Sequence, residues 1–307
     1  MHRPDAPSLV LSPPPVAGRV WVAFSGGLDS TVLLHRLAQA PTMRAAGLHA
    51  IHVHHGLQPD ADAWATHCAA LCRTLDVPLQ VHRVHVDMTR GEGVEAAARR
   101  ARHAAFTEVM RTGDIIALAH HRDDQAETFL LRALRASGPE GLAAMRAWRP
   151  FGTGWLWRPL LDSPRSDLDA YARAASLSWI EDPGNAGTAF DRNVLRHQVL
   201  PLLRQRWPHA DAAFARSAAL SAEAADLLER QDRDLLASAA TADPAALHVA
   251  PLRDAGAAAR ARALRRWIDG LALPPLLTVA FVAIDEAAPV GTAAEAFAWA
   301  ATAFSVG

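Results

Sequence analysis

The chain has 307 residues, half of them hydrophobic, and a formal charge of −1. That length can bury a substantial core in one large domain or two modest ones, while no apolar run approaches the roughly 20 residues of a membrane helix and two cysteines cannot build a disulfide framework. All 31 basic residues are arginine, and without lysine there is no Walker phosphate loop, no Schiff base and no adenylyl-lysine intermediate.

The opening stretch, MHRPDAPSLVLSPPP, is broken by prolines and lacks a long apolar segment, so it does not read as a signal peptide, and a cytoplasmic location is the expectation. From there strand-like and helix-like text alternates. Residues 20–24, VWVAF, read as a strand and 30–40 as a helix; 48–54 read as a strand, 61–75 as a helix and 79–86 as a third strand. Residues 94–111 read as a long Ala/Arg helix, 115–119 as a short apolar strand and 124–135 as another helix. This alternation predicts an α/β fold, a parallel sheet with helices on both faces. Residues 137–161, rich in Gly, Pro and Trp, read as a loop or connector. Beyond Pro208 the text turns Ala-rich and helical without a clear strand. The expected division is an α/β domain over residues 1–208 and a small α-helical domain over 209–307.

The first strand breaks into Ser25-Gly26-Gly27 before Leu28, Asp29 and Ser30 open a helix. In a parallel sheet such a turn lies at the carboxyl edge, where ligands sit near helix N-termini. Glycines let the backbone turn sharply and present N–H groups, and the helix dipole favours an anion. Asp29 and Ser30 either cap the helix or serve a ligand. Gly-Gly followed by an acid points to a phosphate whose charge is partly met by Mg²⁺, with Asp29 near the metal.

Two further segments end at the same edge: His52-Val-His-His-Gly-Leu57, which contains His55, and Ala119-His-His-Arg-Asp-Asp-Gln-Ala-Glu-Thr128. Asp124, Glu127 and Thr128 are three to four apart and share a helix face. Carboxylates there either complement the helix N-terminus or belong to a site. Beside anionic phosphates, two acids need a cation between them, either Mg²⁺ or a cationic substrate.

SGGLDS resembles the PP-loop of the N-type ATP pyrophosphatases. With HVHHGLQ, GVEAAARRAR, AHHRDDQAETFLLRALRASGPEGLAAM, WRPLL and WIEDPGNAGTAFDRNVLRHQVLPLL, the text over residues 20–203 is similar to the bacterial tRNA(Ile)-lysidine synthetases within that superfamily. The resemblance implies a ligase that forms a carbon–nitrogen bond. ATP adenylates the wobble cytidine of the CAU anticodon of tRNA(Ile), and free lysine displaces AMP to leave lysidine. It implies that Ser25, Gly26, Gly27, Leu28, Asp29 and Ser30, with His55 and Arg196, surround ATP, and that Asp29 holds Mg²⁺ through ATP. Asp29, Glu95, Arg99 and Arg192 take catalytic positions, and His120, Asp124 and Glu127 those that bind lysine. The resemblance leaves room for a homodimer and implies no membrane.

The plain alternatives are a surface ion pair for Glu95 and Arg99 and a solvated face for Arg192 and Arg196. Gln58 stands where the family usually has a basic residue, which weakens any phosphate contact there. The C-terminal third carries weak signals, and its helical domain reads as a short form or as incomplete. Its local basic cluster, Arg260, Arg262, Arg265 and Arg266, is expected to meet the tRNA backbone. Cys68 and Cys72, four apart beside His67, fit ordinary helix packing, since a zinc site wants about four ligands. The rival readings are a PP-loop tRNA thiolase, which needs reactive cysteines, and a non-catalytic RNA-binding protein.

Overall fold

A computed structural model describes residues 9–89, 93–182 and 191–271. The chain divides into two compact units, residues 1–222 and 223–307.

The first unit is built on a six-stranded sheet in the order β3-β2-β1-β4-β6-β5. Its strands are β1 (Val20–Ala23), β2 (Leu48–His54), β3 (Leu79–Arg83), β4 (Ile115–Ala117), β5 (Trp148–Phe151) and β6 (Gly154–Trp157). The first four and β6 pair in parallel, while β5 runs antiparallel to β6 at the edge. The helices are α1 (Leu28–Ala38), α2 (Pro41–Ala45), α3 (Ala61–Thr74), α4 (Val94–Val109), α5 (Arg122–Ala133), α6 (Pro139–Leu142) and α7 (Arg165–Ala174). They are followed by α8 (Asp191–Val194), a π-helical turn (Leu195–Val199) and α9 (Leu200–Arg206), and α10 (Ala210–Ala239) comes next.

The period-two side-chain alternation of a strand explains why both faces are covered. Val20, Val22 and Phe24 enter one core with Leu33, Leu37, Cys68, Cys72 and Leu168 from α1, α3 and α7. Trp21, Ile51, Ile116 and Leu156 enter the other with Phe106 of α4. Since β1 is continued on one side by β2 and on the other by β4, the crevice between their carboxyl ends is the switch point of the sheet, where open α/β sheets bind ligands.

The expectation of a loop over residues 137–161 is corrected here. That stretch contains α6 and the hairpin of β5 and β6, closed by Gly152 at φ +54°. The count of Gly and Pro masked a dense β-forming text, Trp148, Phe151, Trp155 and Trp157, with Trp148 stacked on Trp155 at 5.1 Å. Gly154 passes so close to Asp114 that an added Cβ would lie 2.1 Å from the Asp114 carbonyl. That close approach to β4 is why glycine stands inside a strand.

In the second unit, α11 (Val249–Asp254) and α12 (Ala257–Gly270) follow α10. Ala239, Leu252, Leu264 and Ile268 form its core. The arginine cluster is not a free basic face. Arg262 pairs with the buried Asp232 at 3.1 Å, and Arg266 pairs with Glu229 at 3.2 Å. Arg260 donates to the Leu252 and Ala255 carbonyls at the end of α11, and Arg265 donates to the Ala261 carbonyl. Spacing alone revealed the positive charges but not the acids of α10 that neutralise them.

Candidate active site

The phosphate loop is shaped by one left-handed residue, Gly26 at φ +86°. A Cβ there would lie 2.7 Å from Ile180 Cδ1 and 2.9 Å from Cys68 Sγ, so packing as well as conformation requires glycine. The Ile180 amide donates to the Gly26 carbonyl at 2.9 Å, and Cys68 Sγ lies 3.4 Å from His52 Nδ1 beneath the loop. Of the two readings left open for Asp29 and Ser30, capping is not the one found. Gly27 is the N-cap of α1, no side chain caps it, and the Ser30 hydroxyl donates to the Gly27 carbonyl at 3.0 Å. The first turn of α1 therefore presents its amides and the positive end of its dipole to the crevice, a setting for an anion.

Asp29 stands beside this turn. Its Oδ1 is buried without a hydrogen-bond partner, with Arg165 Nε 3.8 Å away, and its Oδ2 lies 3.6 Å from His121 Nε2. An orphaned carboxylate oxygen at a phosphate loop suits Mg²⁺, which takes one or two carboxylates and leaves its other positions to phosphates and water. Among the described residues no cluster of three or more His, Cys, Asp or Glu could hold a metal alone. The fit is to Mg²⁺ carried on a nucleotide.

Across the crevice His121 is the N-cap of α5. Its Nδ1 accepts from the Asp124 amide at 3.4 Å, and its own amide donates to Asp124 Oδ2 at 3.1 Å, forming a reciprocal capping box. Burial lowers the His121 pKa, but Asp29, Asp124 and Asp123 outweigh it and hold the ring above the ordinary histidine value. The neighbouring Asp123 accepts from the Arg165 amide at 2.9 Å and from Arg204 at 2.9 Å, tying α5 to α7 and α9.

Asp124 and Glu127 share one face of α5, as expected, but they are already paired. Glu127, 1% exposed, receives Arg192 Nε on Oε2 at 2.8 Å and Arg196 Nε on Oε1 at 2.6 Å. Arg196 also reaches Asp124 Oδ1 at 3.1 Å, and Arg192 donates to Thr128 Oγ1 at 2.9 Å. Burial opposes the charge of Arg196, yet Glu127 and Asp124 raise its pKa above the ordinary arginine value. This overturns the argument that the two acids need Mg²⁺ or a substrate cation between them: two guanidiniums supply the charge. It also rules out a solvated face for Arg192 and Arg196, which a helix spacing taken in isolation had left open.

His120 accepts from Arg158 Nε at 3.1 Å and lies within the electrostatic reach of Asp124. Burial, with Arg158, Arg192 and Arg102 nearby, pushes its pKa down to about 3, so the ring is neutral. Glu95 and Arg99 lie exposed on α4, where Arg99, Arg102, Arg149 and Arg158 surround His103. Burial and these charges push His103 down to about 4. Burial first, then Arg102, lowers the half-buried His55 at the end of β2. One side of the crevice is thus a basic wall and the other carries the Asp29–His121–Asp124 line. Sequence reasoning missed His121, Asp123, Arg158 and Arg165. Only His121 left a trace, a polar residue three positions before an acid at the start of a helix.

Comparison with known proteins bears on the family and the fold. A family model described as a PP-loop domain matches residues 8–203. A Xanthomonas axonopodis pv. citri protein named tRNA(Ile)-lysidine synthase is 57% identical, covering 91% of this chain and 63% of that protein. Proteins of the same name from Xylella fastidiosa (strain Temecula1) and Pseudomonas putida are 56% and 50% identical, with 58% and 60% of their lengths covered. The chain therefore spans less than two thirds of the curated relatives it matches. A solved structure of the U34-tRNA thiolase NcsA from Methanococcus maripaludis, with its [4Fe-4S] cluster, aligns over 67% of this chain and 73% of that one. Its TM-score is 0.53 at 16% identity, a likeness of fold.

Proposed function

The chain belongs to the PP-loop family, and on that premise we propose that it is a ligase that adenylates a tRNA cytidine and joins free lysine to it. The names of the relatives point to tRNA(Ile), and the CAU anticodon is the one the family resemblance implies. The observation that carries this reading is the convergence, at one switch point, of an uncapped phosphate loop bearing Asp29 with the buried carboxylates Asp124 and Glu127.

The first turn of α1, with Ser25, Gly26, Gly27, Leu28 and Ser30, binds the phosphates of ATP through its amides and dipole. Asp29 would hold Mg²⁺, which neutralises phosphate charge and orients the pyrophosphate leaving group. The cytidine O2 attacks the α-phosphorus, the bond to the bridging oxygen breaks and pyrophosphate departs. An unprotonated lysine amine then attacks C2, and AMP leaves with the electron pair of the C2–O2 bond. Arg99, Arg192 and Arg196, with His55, supply positive charge to the negatively charged groups of ATP and tRNA. Asp124, Glu127 and the neutral His120 receive the lysine cation, whose ammonium takes over a carboxylate now held by a guanidinium. Glu95 balances the charge of α4. The setting is the cytoplasm, and a homodimer is compatible with it.

A thiolase reading finds no nucleophile in this chain. Its two cysteines are buried on α3, and burial pushes both thiols up to about 12. A binding module without catalysis would release no pyrophosphate. The test is incubation with tRNA(Ile) bearing a CAU anticodon, ATP, Mg²⁺ and labelled lysine. Label in the tRNA is expected, with pyrophosphate released in step; a folded chain that leaves the tRNA unlabelled overturns the reading.

A further inference from the structure

We infer that His121 is a positioning residue that sets the Asp29 carboxylate for the metal–nucleotide complex, while it also caps the helix that carries Asp124 and Glu127. This rests on the function proposed above and adds to it the residue that couples the two halves of the site.

His121 is 1% exposed, and both of its ring nitrogens are engaged in different work. Nδ1 accepts the Asp124 amide at 3.4 Å, which places the lone pair there and the proton on Nε2. Nε2 faces Asp124 Oδ2 at 3.4 Å and Asp29 Oδ2 at 3.6 Å. One imidazole thus spans the crevice between the helix after β1 and the helix after β4. Its Nε2 faces one oxygen of Asp29 at ion-pair distance, leaving Oδ1, which has no hydrogen-bond partner, as the lone pair nearest to hand for a metal. Arg165 Nε already stands 3.8 Å from that same Oδ1, a competing cation toward which an unbraced Asp29 carboxylate would turn further. A rotation of that kind removes the oxygen from the phosphate loop at no cost in covalent geometry. A group that is itself locked by a cap is a suitable brace against it.

The two nitrogens can be removed separately. In His121→Asn the side-chain oxygen takes the place of Nδ1 and keeps the cap, but the donor to Asp29 is lost. In His121→Gln the terminal amide reaches the place of Nε2 and keeps the donor, but the cap is lost. The measurement is the affinity of the full chain for a non-hydrolysable ATP analogue, with and without Mg²⁺, by titration calorimetry, together with the melting temperature. His121→Asn is expected to melt within a degree or two of the native protein while the Mg²⁺-dependent gain in affinity falls about tenfold. His121→Gln is expected to melt a few degrees lower, as loss of a cap dictates, and to retain most of that gain.

An undiminished gain in His121→Asn would overturn the inference and reduce His121 to a cap. So would an equal loss of gain and of melting temperature in both variants, which marks a scaffold residue. If the native chain shows the Mg²⁺-dependent gain and His121→Asn loses it, but no lysine enters tRNA, the inference stands and the proposed reaction fails. A native chain without any Mg²⁺-dependent gain overturns both.

Discussion

Arg196 grips Glu127 as a two-pronged fork, Nε 2.6 Å from Oε1 and NH2 2.9 Å from Oε2, in a place where the carboxylate is 1% exposed. Residues 69 positions apart, which the family resemblance assigns to opposite ligands, phosphate and lysine, are bonded to each other. An ammonium that reaches Glu127 must therefore exchange with a guanidinium, and the released arginine becomes available to an anion. On the proposed function, binding of the lysine cation and rearrangement of the arginines would be one event.

Glu127→Gln should separate the steps. Two guanidiniums lose their charged acceptor, and hydrogen bonds to charged groups contribute about 1.5–3 kcal/mol each, so a loss of roughly 2–3 kcal/mol is expected in urea unfolding. The Michaelis constant for lysine should rise about tenfold or more, with pyrophosphate release changed only a few-fold in single-turnover assays. Loss of pyrophosphate release that excess Mg²⁺ restores would make the acidic pair a metal site instead.

The two loop glycines should differ sharply. Gly26→Ala forces a left-handed Cβ against Ile180 and Cys68, and conformation alone costs about 1–2 kcal/mol. Gly27 has φ −72°, and a Cβ there would meet nothing closer than Ser25 Oγ at 3.6 Å. Gly27→Ala should keep its stability within about 0.5 kcal/mol, measured by thermal melting of both variants. Equal melting temperatures would show that the loop is not packed as described.

Asp114 should make stability depend on pH. Burial raises its pKa, but Arg19, the Arg111 amide and Trp21 outweigh this and hold the carboxyl below its ordinary value. A depressed carboxyl contributes stability above its unfolded pKa of about 3.9 and loses it as pH falls through the folded value. Asp114→Asn should therefore cost about 1.5–3 kcal/mol at pH 7, and the gap between variant and native chain should close below about pH 4. Urea midpoints of both proteins across pH 3–7 check this.

Cys68 and Cys72 should resist thiol reagents at pH 8 in the native chain and react fully in denaturant, since burial pushes both thiols up to about 12 and the thiolate is the nucleophile. Rapid labelling of the native chain would reopen the sulfur-transfer reading.

Arg262→Ala should destabilise the second unit rather than merely weaken RNA binding. It strands Asp232, 2% exposed, without its closest cationic partner, a loss of about 3 kcal/mol for a broken buried pair. Hydrogen exchange of α12 reports it; a variant that keeps full protection but binds tRNA with a flatter salt dependence would return the arginine to the interface.

Local chemistry is written along the chain, and much of the molecule follows from it. The β-branched run at Val20, the glycines at 26 and 27, the alternation of strands and helices and the Asp124–Glu127 spacing each depend on residues within a turn or two of one another, so their text sufficed for the parallel sheet and for the edge that carries the site. The hairpin from Trp148 to Trp157 escaped because the Gly and Pro of the surrounding stretch hid its aromatic strand text, and its place in the sheet comes from β6 pairing with the distant β4. The partners of the charged groups escaped for a related reason. Whether Arg196 meets a phosphate or Glu127, whether Arg262 meets RNA or Asp232, and whether His121 merely caps a helix or also reaches Asp29 are settled by which segments the fold carries into contact. Electrostatic energy depends on separation in space, and sequence spacing reports that separation only within a single helix or strand.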